Sequence, residues 1–438
     1  MSIGLLTILL FASLFTLLAI GTPIAFALMV VGTMFGLILW GPSHIYVLAS
    51  ATLGATSSQV LIAVPLFIFM GNILVHTGVA RDMFKSMHYW TGPLKGSLAM
   101  GTIGIGAVFG AMCGSVSATT ITIGNIALPS MLERGYDKNL VLGTVATSGL
   151  LAFLIPPSVL AIIWGSIAGV SIGKLYLGMF VPGFILAALY ILYIGTRSFF
   201  DPKLGPPIPK EERPSWREKF VSLKGIVIPL LLVLAVIGGI YSGIATPTEA
   251  AGVGALAVVI AALITRSLKW QNFKQAVWGT GRVTAMVLWI MIGITIFTNV
   301  YNALGAPRLI NEMLAVLPVS GFGVVIMMQV IIFFLGMVMD DTAIIMLTTP
   351  MFMPVIRSLG FDPLWFGVLY MVNLQAALMT PPYGFSLFLM RAITPKTITM
   401  GDIYRSAYPF VIIQLVCLVL VMAFPPLSTW LPALFIRK

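Results

Sequence analysis

Two stretches of equal length decide the fold: Pro129-SMLERGYDKNLVLGTVATSGLLAFLI-Pro156-Pro157 and Pro354-VIRSLGFDPLWFGVLYMVNLQAALMT-Pro381-Pro382. Each contains a Gly-aromatic-Asp turn at the same place and ends at a doubled proline, at an offset of 225 residues. The same or nearly the same offset joins Pro93 with Pro318, Gly96 with Gly321, Ser117 with Thr342, Asn72 with Asn299, Gly78 with Gly305, and Thr22-Pro23 with Thr246-Pro247. So many turn residues at one spacing indicate two copies of one unit.

The composition places both copies in a membrane. Of the 438 residues, 59% are apolar and only 8% are charged, whereas soluble domains carry about 25% charged residues. Apolar runs recur along the whole chain, for example Gly4–Ile20, Ile226–Ile240 and Val411–Phe424, and each is near the length that crosses a bilayer core of about 30 Å. The sequence therefore predicts an all-α polytopic membrane protein.

The Lys and Arg residues indicate the topology. They flank apolar spans and do not form a basic stripe with stacking aromatics, so the net charge of +11 does not indicate a nucleic-acid partner. The segment Arg197–Lys224 carries seven of them and is assigned to the cytoplasm by the positive-inside rule. Working outward from it, 19 Lys and Arg are cytoplasmic and five are outside, namely Lys174, Arg308, Arg357, Arg437 and Lys438. Both termini are then periplasmic, and the two copies are inverted.

Each copy is expected to contain scaffold helices, a re-entrant hairpin, a helix broken at the doubled proline and a closing helix. In the first copy, residues 1–196, these elements are 1–95, 97–128, 139–170 and 177–196. In the second copy, residues 225–438, they are 226–320, 322–353, 364–393 and 407–424. Residues 197–224 are a cytoplasmic linker between the copies.

The hairpin prediction depends on the length of each segment and on the face of the membrane where it begins and ends. Segments 97–128 and 322–353 are each long enough for two passes, yet each has to begin and end on the same face of the membrane. Their centres are polar and rich in glycine, and irregular backbone at that depth is tolerated only inside protein or a watery cavity. Two complete spans joined by a tight turn are the alternative.

The centre of the first hairpin, Gly110–Thr120, offers neutral oxygen atoms. Its glycines leave carbonyl groups without helical partners, and Ser115, Ser117 and Thr119 add hydroxyl groups near Gly114. A small hard cation such as Na⁺ is held by several such oxygens. The alternative is that the small residues serve close helix packing, with the hydroxyl groups bonded to their own helix.

The centre of the second hairpin differs by carrying two adjacent carboxylates, Asp340 and Asp341, followed by Thr342. Ionisable residues inside a membrane segment are costly and indicate function. We expect at least one of the two to contact a cation. The alternative is a structural pair that caps the next helix by accepting bonds from free N–H groups.

The doubled prolines Pro156-Pro157 and Pro381-Pro382 break a helix near mid-membrane, because each proline removes a backbone donor and frees a carbonyl one turn earlier. Freed carbonyls that face a hairpin tip provide cation ligands, and half-helix N-termini attract a carboxylate. The polar residues before the breaks, expected near the ions, are Thr147, Ser148 and Asn373. Those after the breaks, expected beside the substrate, are Ser158, Tyr383, Gly384 and Ser386.

No catalytic constellation is apparent. His44, His76 and His88 lack metal-ligand spacing, and neither H-E-x-x-H nor a nucleophile elbow occurs, so an integral membrane enzyme is disfavoured. We expect no catalytic residue, no cofactor and no metal other than Na⁺. A channel is also disfavoured, because paired hairpins and broken helices are typical of alternating access.

Several motifs together resemble the large membrane subunit of tripartite ATP-independent periplasmic (TRAP) transporters across essentially the whole chain. They are Val64–Gly71, Gly114–Thr119, Ala245–Ala251, Met339–Thr342 and the two Pro-Pro pairs. The resemblance implies an elevator-type, Na⁺-driven transporter of the bacterial inner membrane. It also implies a small organic anion as substrate, a periplasmic substrate-binding protein that delivers it, and a separate four-helix membrane subunit. One Na⁺ would lie where Ser115–Ser117 meets the first break, and another where Asp340–Thr342 meets the second.

One departure from that family concerns the substrate. Many members have Asn where this chain has Ser386 after the second break, which hints at a keto or hydroxy acid, while a C4-dicarboxylate or a sugar acid also fits the resemblance. A stand-alone Na⁺/dicarboxylate symporter of related architecture is the alternative to a tripartite system.

Overall fold

The computed structural model describes residues 2–309, 312 and 318–435. Within those residues every regular element is a helix, and none is a strand. The all-α membrane fold predicted from composition is therefore confirmed. Part of the predicted scaffold segment 226–320 and the outside cations Arg437 and Lys438 lie outside the described residues.

The first half, up to residue 200, contains five helices before its hairpin, then the hairpin, the broken helix and the closing helix. The first five are Ile3–Ala19, Ile24–Trp40, His44–Thr56, Ala63–His76 and Val79–Thr91. The hairpin arms are Ser97–Cys113 and Val116–Glu133, the broken helix is Lys138–Leu150 plus Val159–Ala168, and the closing helix is Ile172–Phe200.

The second half has the same elements in the same order from its hairpin onward. The helices described before the hairpin are Lys224–Tyr241, Pro247–Ile264 and Trp270–Ala303. The hairpin arms are Gly321–Gly336 and Asp341–Ser358, the broken helix is Pro363–Leu378 plus Phe385–Ile393, and the closing helix is Met400–Ala423, followed by Pro426–Phe435.

The outgoing arms of the two hairpins are shorter than the helices that are long enough to span a membrane. Among the described residues, six helices or helix runs are long and apolar enough to cross a membrane, including Ile172–Phe200 and Met400–Ala423. The outgoing hairpin arms Ser97–Cys113 and Gly321–Gly336 have only 17 and 16 residues. At 1.5 Å per residue they extend about 25 Å, which is short of a hydrocarbon core of about 30 Å. Their length is thus compatible with re-entrant hairpins.

The two halves make equivalent contacts inside each hairpin unit. The two arms of each hairpin pack on one another, and each outgoing arm also packs on the first part of the broken helix of its own half. Gly110 contacts Ala152 in the first half, and Gly336 contacts Ala377 in the second. The two alanines stand at the repeat offset. Close packing of small residues is common between membrane helices, and here it brings each outgoing arm against the broken helix of its own half.

Both breaks contain a cis Pro-Pro bond. The first interruption follows a short 3₁₀ turn at Leu151–Phe153 and ends at Ser158; the second ends at Gly384. The closing helices extend beyond the predicted segments 177–196 and 407–424 at their N-terminal ends.

The linker contains a short helix, Trp216–Ser222, that was not predicted. Ser215 and Glu218 form a capping box at its start, with each side chain bonded to the backbone of the other residue. Ion pairs tie neighbouring loops together: Arg134 to Glu212 at 3.1 Å, and Lys138 to Asp402 at 2.8 Å. The loop at residues 133–138, the linker and the start of the last closing helix therefore share one face, as the charge pattern requires.

Candidate functional site

The first hairpin tip lies directly against the first helix break. Gly114, with a left-handed φ of 58°, ends the outgoing arm, and its N–H donates to the Gly110 carbonyl at 2.7 Å. A Cβ atom at this position would lie 3.3 Å from the Pro157 carbonyl oxygen and 3.2 Å from Val159 Cγ2. Only glycine combines that backbone conformation with so close an approach. The structure thus brings predicted tip and break residues together.

The hydroxyl groups of the first tip are used unequally. Ser115 caps the return arm by accepting from the Ala118 N–H at 3.5 Å, and its carbonyl accepts from the Thr119 hydroxyl at 2.8 Å. Ser117 is half-buried and makes no side-chain hydrogen bond to a described residue. The packing interpretation therefore holds for Thr119, whereas the Ser117 oxygen is available to a ligand.

Thr147 and Ser148, which precede the first break, are both fully buried but face different neighbours. Ser148 donates to the Val145 carbonyl of its own helix at 2.8 Å. Thr147 donates to the sulfur of Met379 at 3.5 Å, immediately before the second break. The two breaks are consequently neighbours, and Thr147 links them.

The second tip also meets the break of its own half. The Tyr383 N–H donates to the Met337 carbonyl at 3.0 Å, so the residue after the doubled proline is bonded to the residue after the outgoing arm. Gly384, with φ 53°, starts the following half-helix. This is the second tip-break pair that the repeat predicts.

The carboxylates of the second tip both bond the start of the return arm. Asp340 accepts from the Ala343 N–H at 2.8 Å, and Asp341 accepts from the Thr342 N–H at 2.7 Å and from its hydroxyl at 3.0 Å. The capping interpretation therefore describes part of their role. Within the described chain, neither carboxylate has a Lys or Arg partner at ion-pair distance. Two adjacent unpaired carboxylates in one tip favour a cation.

Asn373 has a partner that sequence reasoning missed. Its side-chain N–H₂ group donates to the Gln329 carbonyl at 2.6 Å and to the Gln329 side-chain oxygen at 2.9 Å. Both residues are buried, and Asn373 Oδ1 and Gln329 Nε2 remain without a described partner. Gln329 is the lone amide in the otherwise apolar arm Gly321–Gly336, which was the available signal.

The residues after the breaks differ between the halves. Ser158 is fully buried, caps its half-helix, and its carbonyl accepts from the Tyr176 hydroxyl at 3.1 Å. Ser386 is also buried, but its hydroxyl has no described partner. Tyr383 is 37% exposed. The Ser386 hydroxyl is thus unpaired within the described residues and Tyr383 is partly exposed, whereas the Ser158 hydroxyl already accepts from the Ala161 N–H.

The two halves of the chain contact one another next to the helix breaks. The return arm of each hairpin packs on the half-helix that follows the break of the other half. Arg357, on the second return arm, donates to the Ala168 carbonyl at 2.6 Å, and the Trp164 and Tyr370 rings are 6.2 Å apart. Both tip-break pairs therefore belong to one interlocked core. Arg357 was predicted only as an outside cation, and its contact was not foreseen.

A family model provides the decisive comparison. The model described as "Tripartite ATP-independent periplasmic transporter, DctM component" matches residues 11–427. The chain belongs to this family. It is therefore a large permease subunit of a multi-pass membrane transporter and not an enzyme, as predicted, and its family implies a small membrane subunit and a periplasmic binding protein as partners.

Individual relatives agree with the family. The chain is 32% identical over 399 residues to the C4-dicarboxylate TRAP transporter large permease protein DctM of Pseudomonas aeruginosa, covering 90% of this chain and 91% of the relative. It is 30% identical over 422 residues to the sialic acid TRAP transporter large permease protein SiaM of Vibrio cholerae, covering 96% and 97%.

A solved structure supports the fold of this DctM-family chain. The YdaH transporter of Alcanivorax borkumensis superimposes with a TM-score of 0.66 at 15% identity, covering 92% of this chain and 98% of that one. At such low identity the likeness concerns the fold alone.

Proposed function

We propose that this permease subunit imports a small organic acid and couples the import to the Na⁺ gradient. The observation that carries the proposal is the meeting of an oxygen-bearing hairpin tip with a proline-broken helix in each half: Gly114 against the Pro157 carbonyl, and Met337 bonded to Tyr383. Backbone broken at such a place exposes carbonyl oxygens for cations and half-helix N-termini for anions.

Two Na⁺ sites follow from this arrangement. The first would use oxygens of the Gly114–Ser117 turn and of the break before Pro156. The second would use Asp341 or Asp340, Thr342 and the break before Pro381. Two unpaired carboxylates at the second tip support a cation there, since a bound Na⁺ would offset their mutual repulsion.

The substrate would lie between the two tips, close to the second break. The relatives are named for a C4-dicarboxylate and for sialic acid, and one from Escherichia coli is named for 2,3-diketo-L-gulonate. These three are carboxylic acids, whereas other relatives are named for ectoine and for isethionate, a sulfonate. The names together favour a small organic acid. The free hydroxyl of Ser386 and the exposed ring of Tyr383 are the groups we expect beside it.

We further propose that the halves are inverted in the inner membrane, with both termini periplasmic, and that the interlocked core moves as an elevator against the remaining helices. The ion pairs that join the 133–138 loop, the linker and Asp402 support a common cytoplasmic side. Labelling tests the topology: a cysteine at Ser215 should react only from the cytoplasm, and labelling from the periplasm would reverse the assignment.

Reconstitution tests the transport proposal. The chain is placed in liposomes with its small membrane subunit, and the binding protein is loaded with an acid identified by thermal-shift screening. Uptake should require all components and an inward Na⁺ gradient, with an equal K⁺ gradient as the control. Uptake by the chain alone would favour a stand-alone symporter. Uptake that is the same with and without the Na⁺ gradient would contradict Na⁺ coupling.

A further inference from the structure

A cavity of about 850 Å³ lies between the linker helix Trp216–Ser222 and the helix Val79–Thr91. None of the tip or break residues lines it, so the proposed transport site does not account for it. Its lining includes charged, hydroxyl and apolar residues: Asp82, Lys85, Tyr89, Arg217, Glu218 and Lys224 carry the charge and polarity that matter here.

The charge of the cavity is positive. Lys85, Arg217 and Lys224 line it, and none of them is in an ion pair within the described residues. Of the two lining carboxylates, Glu218 is engaged by Ser215, accepting from its N–H and its hydroxyl at 2.8 Å each. Glu218 nevertheless stays ionised, because the hydrogen bonds from Ser215 hold its pKa below the ordinary value. Three cations therefore face two carboxylates, which leaves the lining with a net positive charge, and an anion is the complementary ligand.

The cavity lies at the level of the lipid headgroups. Its lining includes Thr77, Thr265 and Lys224, which stand at the ends of Ala63–His76, Pro247–Ile264 and Lys224–Tyr241. The ends of apolar spans mark the boundary between the hydrocarbon core and water. The cation-rich linker assigns this boundary to the cytoplasmic leaflet, where basic residues attract anionic lipids.

The linker helix presents an apolar side next to the cations. Trp216, Phe220 and Val221 are 69%, 60% and 53% exposed. The helix is nevertheless held in place, because Trp90 donates to the Lys219 carbonyl at 3.1 Å and the Ser86 and Ser222 hydroxyls are 3.1 Å apart. Exposed aromatics beside basic residues on a short helix are typical of a segment that lies in the membrane interface.

We propose that this cavity binds the headgroup of an anionic phospholipid of the cytoplasmic leaflet, such as phosphatidylglycerol. Lys85, Arg217 and Lys224 contact the phosphate, and the acyl chains lie along Trp216 and Phe220. A free phosphate ion would share the electrostatic contacts but would leave the exposed faces of Trp216 and Phe220 uncovered, since Trp90 packs on only part of each ring. The bound lipid would fix the linker, and with it the connection between the two halves, to the membrane surface.

Native mass spectrometry of the detergent-purified full chain tests this proposal. Phosphatidylglycerol is titrated onto the wild type and onto the triple variant Lys85→Gln, Arg217→Gln, Lys224→Gln. We expect the triple variant to bind it at least about tenfold more weakly, since each basic residue near a surface contributes measurably to lipid attraction. Phosphatidylcholine, which carries no net charge, should bind both proteins equally.

The matched control removes three cytoplasmic cations that do not line the cavity: Lys269→Gln, Arg282→Gln, Lys396→Gln. It has the same net charge as the test variant and should stay within about twofold of the wild type. Equal losses in both triples would mean general electrostatic attraction and would overturn the site. Arg217→Lys keeps the charge and should also bind like the wild type, which guards against a folding defect as the explanation.

Two further experiments distinguish a lipid headgroup from a free phosphate ion. Inorganic phosphate at millimolar concentration should not displace phosphatidylglycerol; displacement would identify a soluble-phosphate site and overturn the lipid assignment. Trp216→Ala with Phe220→Ala should weaken phosphatidylglycerol binding about threefold or more, since buried apolar area is lost. No change in that variant would exclude contact with the acyl chains. These readouts do not depend on transport.

Discussion

The two tip-break pairs share one backbone plan but differ in access. The first tip turns between Cys113 and Val116, and every residue from Leu151 to Ser158 in its break is buried. The second tip is longer, from Gly336 to Asp341, and Val338 is 68% exposed. The first pair is therefore closed by a fully buried break, although Ser115 and Ser117 at its tip are half-buried, whereas the second pair is exposed at both its tip and its break. We call the first the sealed pair and the second the open pair.

The two pairs also differ in the chemical groups that they contain. The sealed pair contains neutral hydroxyl and carbonyl oxygens, and the open pair contains Asp340 and Asp341. A carboxylate at an exposed position is less costly than one in a buried interior, and Asp340 is exposed in the second tip. The two halves thus share the packing of tip on break but differ in their electrostatics. We expect the open pair to bind and release its cation more readily.

The largest effect is expected at Asp341. Replacing it by Asn removes a charge from the proposed second Na⁺ site, and the loss of one charge–charge contact at about 4 Å is worth up to about 4 kcal/mol near a protein surface. The half-saturating Na⁺ concentration for uptake should rise at least about tenfold. Unchanged Na⁺ activation in both Asp341→Asn and Asp340→Asn would remove the acidic ion site.

Two variants at Asp340 distinguish its role as a helix cap from the role of its charge. Asn is as good an N-cap as Asp, so Asp340→Asn should retain the bond from Ala343 and the thermal stability of the return arm. Asp340→Ala should lose about 1 kcal/mol of unfolding free energy. Measuring Na⁺ activation and thermal unfolding for both variants shows which role dominates.

The second prediction compares Asn373 with Ser148, which occupy equivalent positions at the repeat offset. Asn373→Ala should destabilise the chain by about 1–3 kcal/mol, because two buried polar groups of Gln329 lose their donor. Ser148→Ala at the equivalent position should cost less than about 1 kcal/mol, since the bond that its hydroxyl makes among the described residues is within its own helix. Equal shifts in the thermal unfolding of the two variants would contradict this asymmetry.

The third prediction concerns the sealed turn. Gly114→Ala forces an L-residue into the left-handed region at a cost of about 1–2 kcal/mol and pushes its Cβ against Val159 and the Pro157 carbonyl. Folded yield should fall, and the folded fraction should need more Na⁺. Ala152→Gly, which relaxes a neighbouring contact without strain of this kind, is the control for disturbed packing.

The smallest effect is expected at Ser117. Its hydroxyl bonds no described residue, so Ser117→Ala should leave thermal stability within about 0.5 kcal/mol. If the oxygen coordinates Na⁺, the half-saturating Na⁺ concentration should rise about threefold, which corresponds to about 0.7 kcal/mol. Ser115→Ala should raise it as well, but with an added loss of about 1 kcal/mol from the missing cap. Unchanged Na⁺ activation in both would exclude the hydroxyls of the first tip.

Much of the architecture could be predicted from the sequence, because the residues that indicate it act on the backbone over only a few positions. Doubled prolines break a helix wherever they occur, and the all-helical membrane fold and the family are confirmed. The inverted orientation, the elevator motion, the Na⁺ sites and the element boundaries remain predictions. The linker helix had a readable sign, Ser215 followed three residues later by Glu218, because that spacing forms a capping box.

The contacts between distant residues could not be read in this way. Gln329 and Asn373 are 44 residues apart, and Thr147 and Met379 are 232 apart. Nothing local tells which hydroxyl or amide will face which helix, because that depends on how complete helices pack and at what depth.

The sequence by itself determined that this is a duplicated membrane protein with two polar hairpin tips and two broken helices, since backbone chemistry at Gly and Pro acts over a few residues. The tertiary structure alone decided that each tip meets its own break, that the return arms cross between halves, and that the neutral pair is sealed while the acidic pair is open. The physical reason is that burial is a property of the assembled helices and not of any one segment.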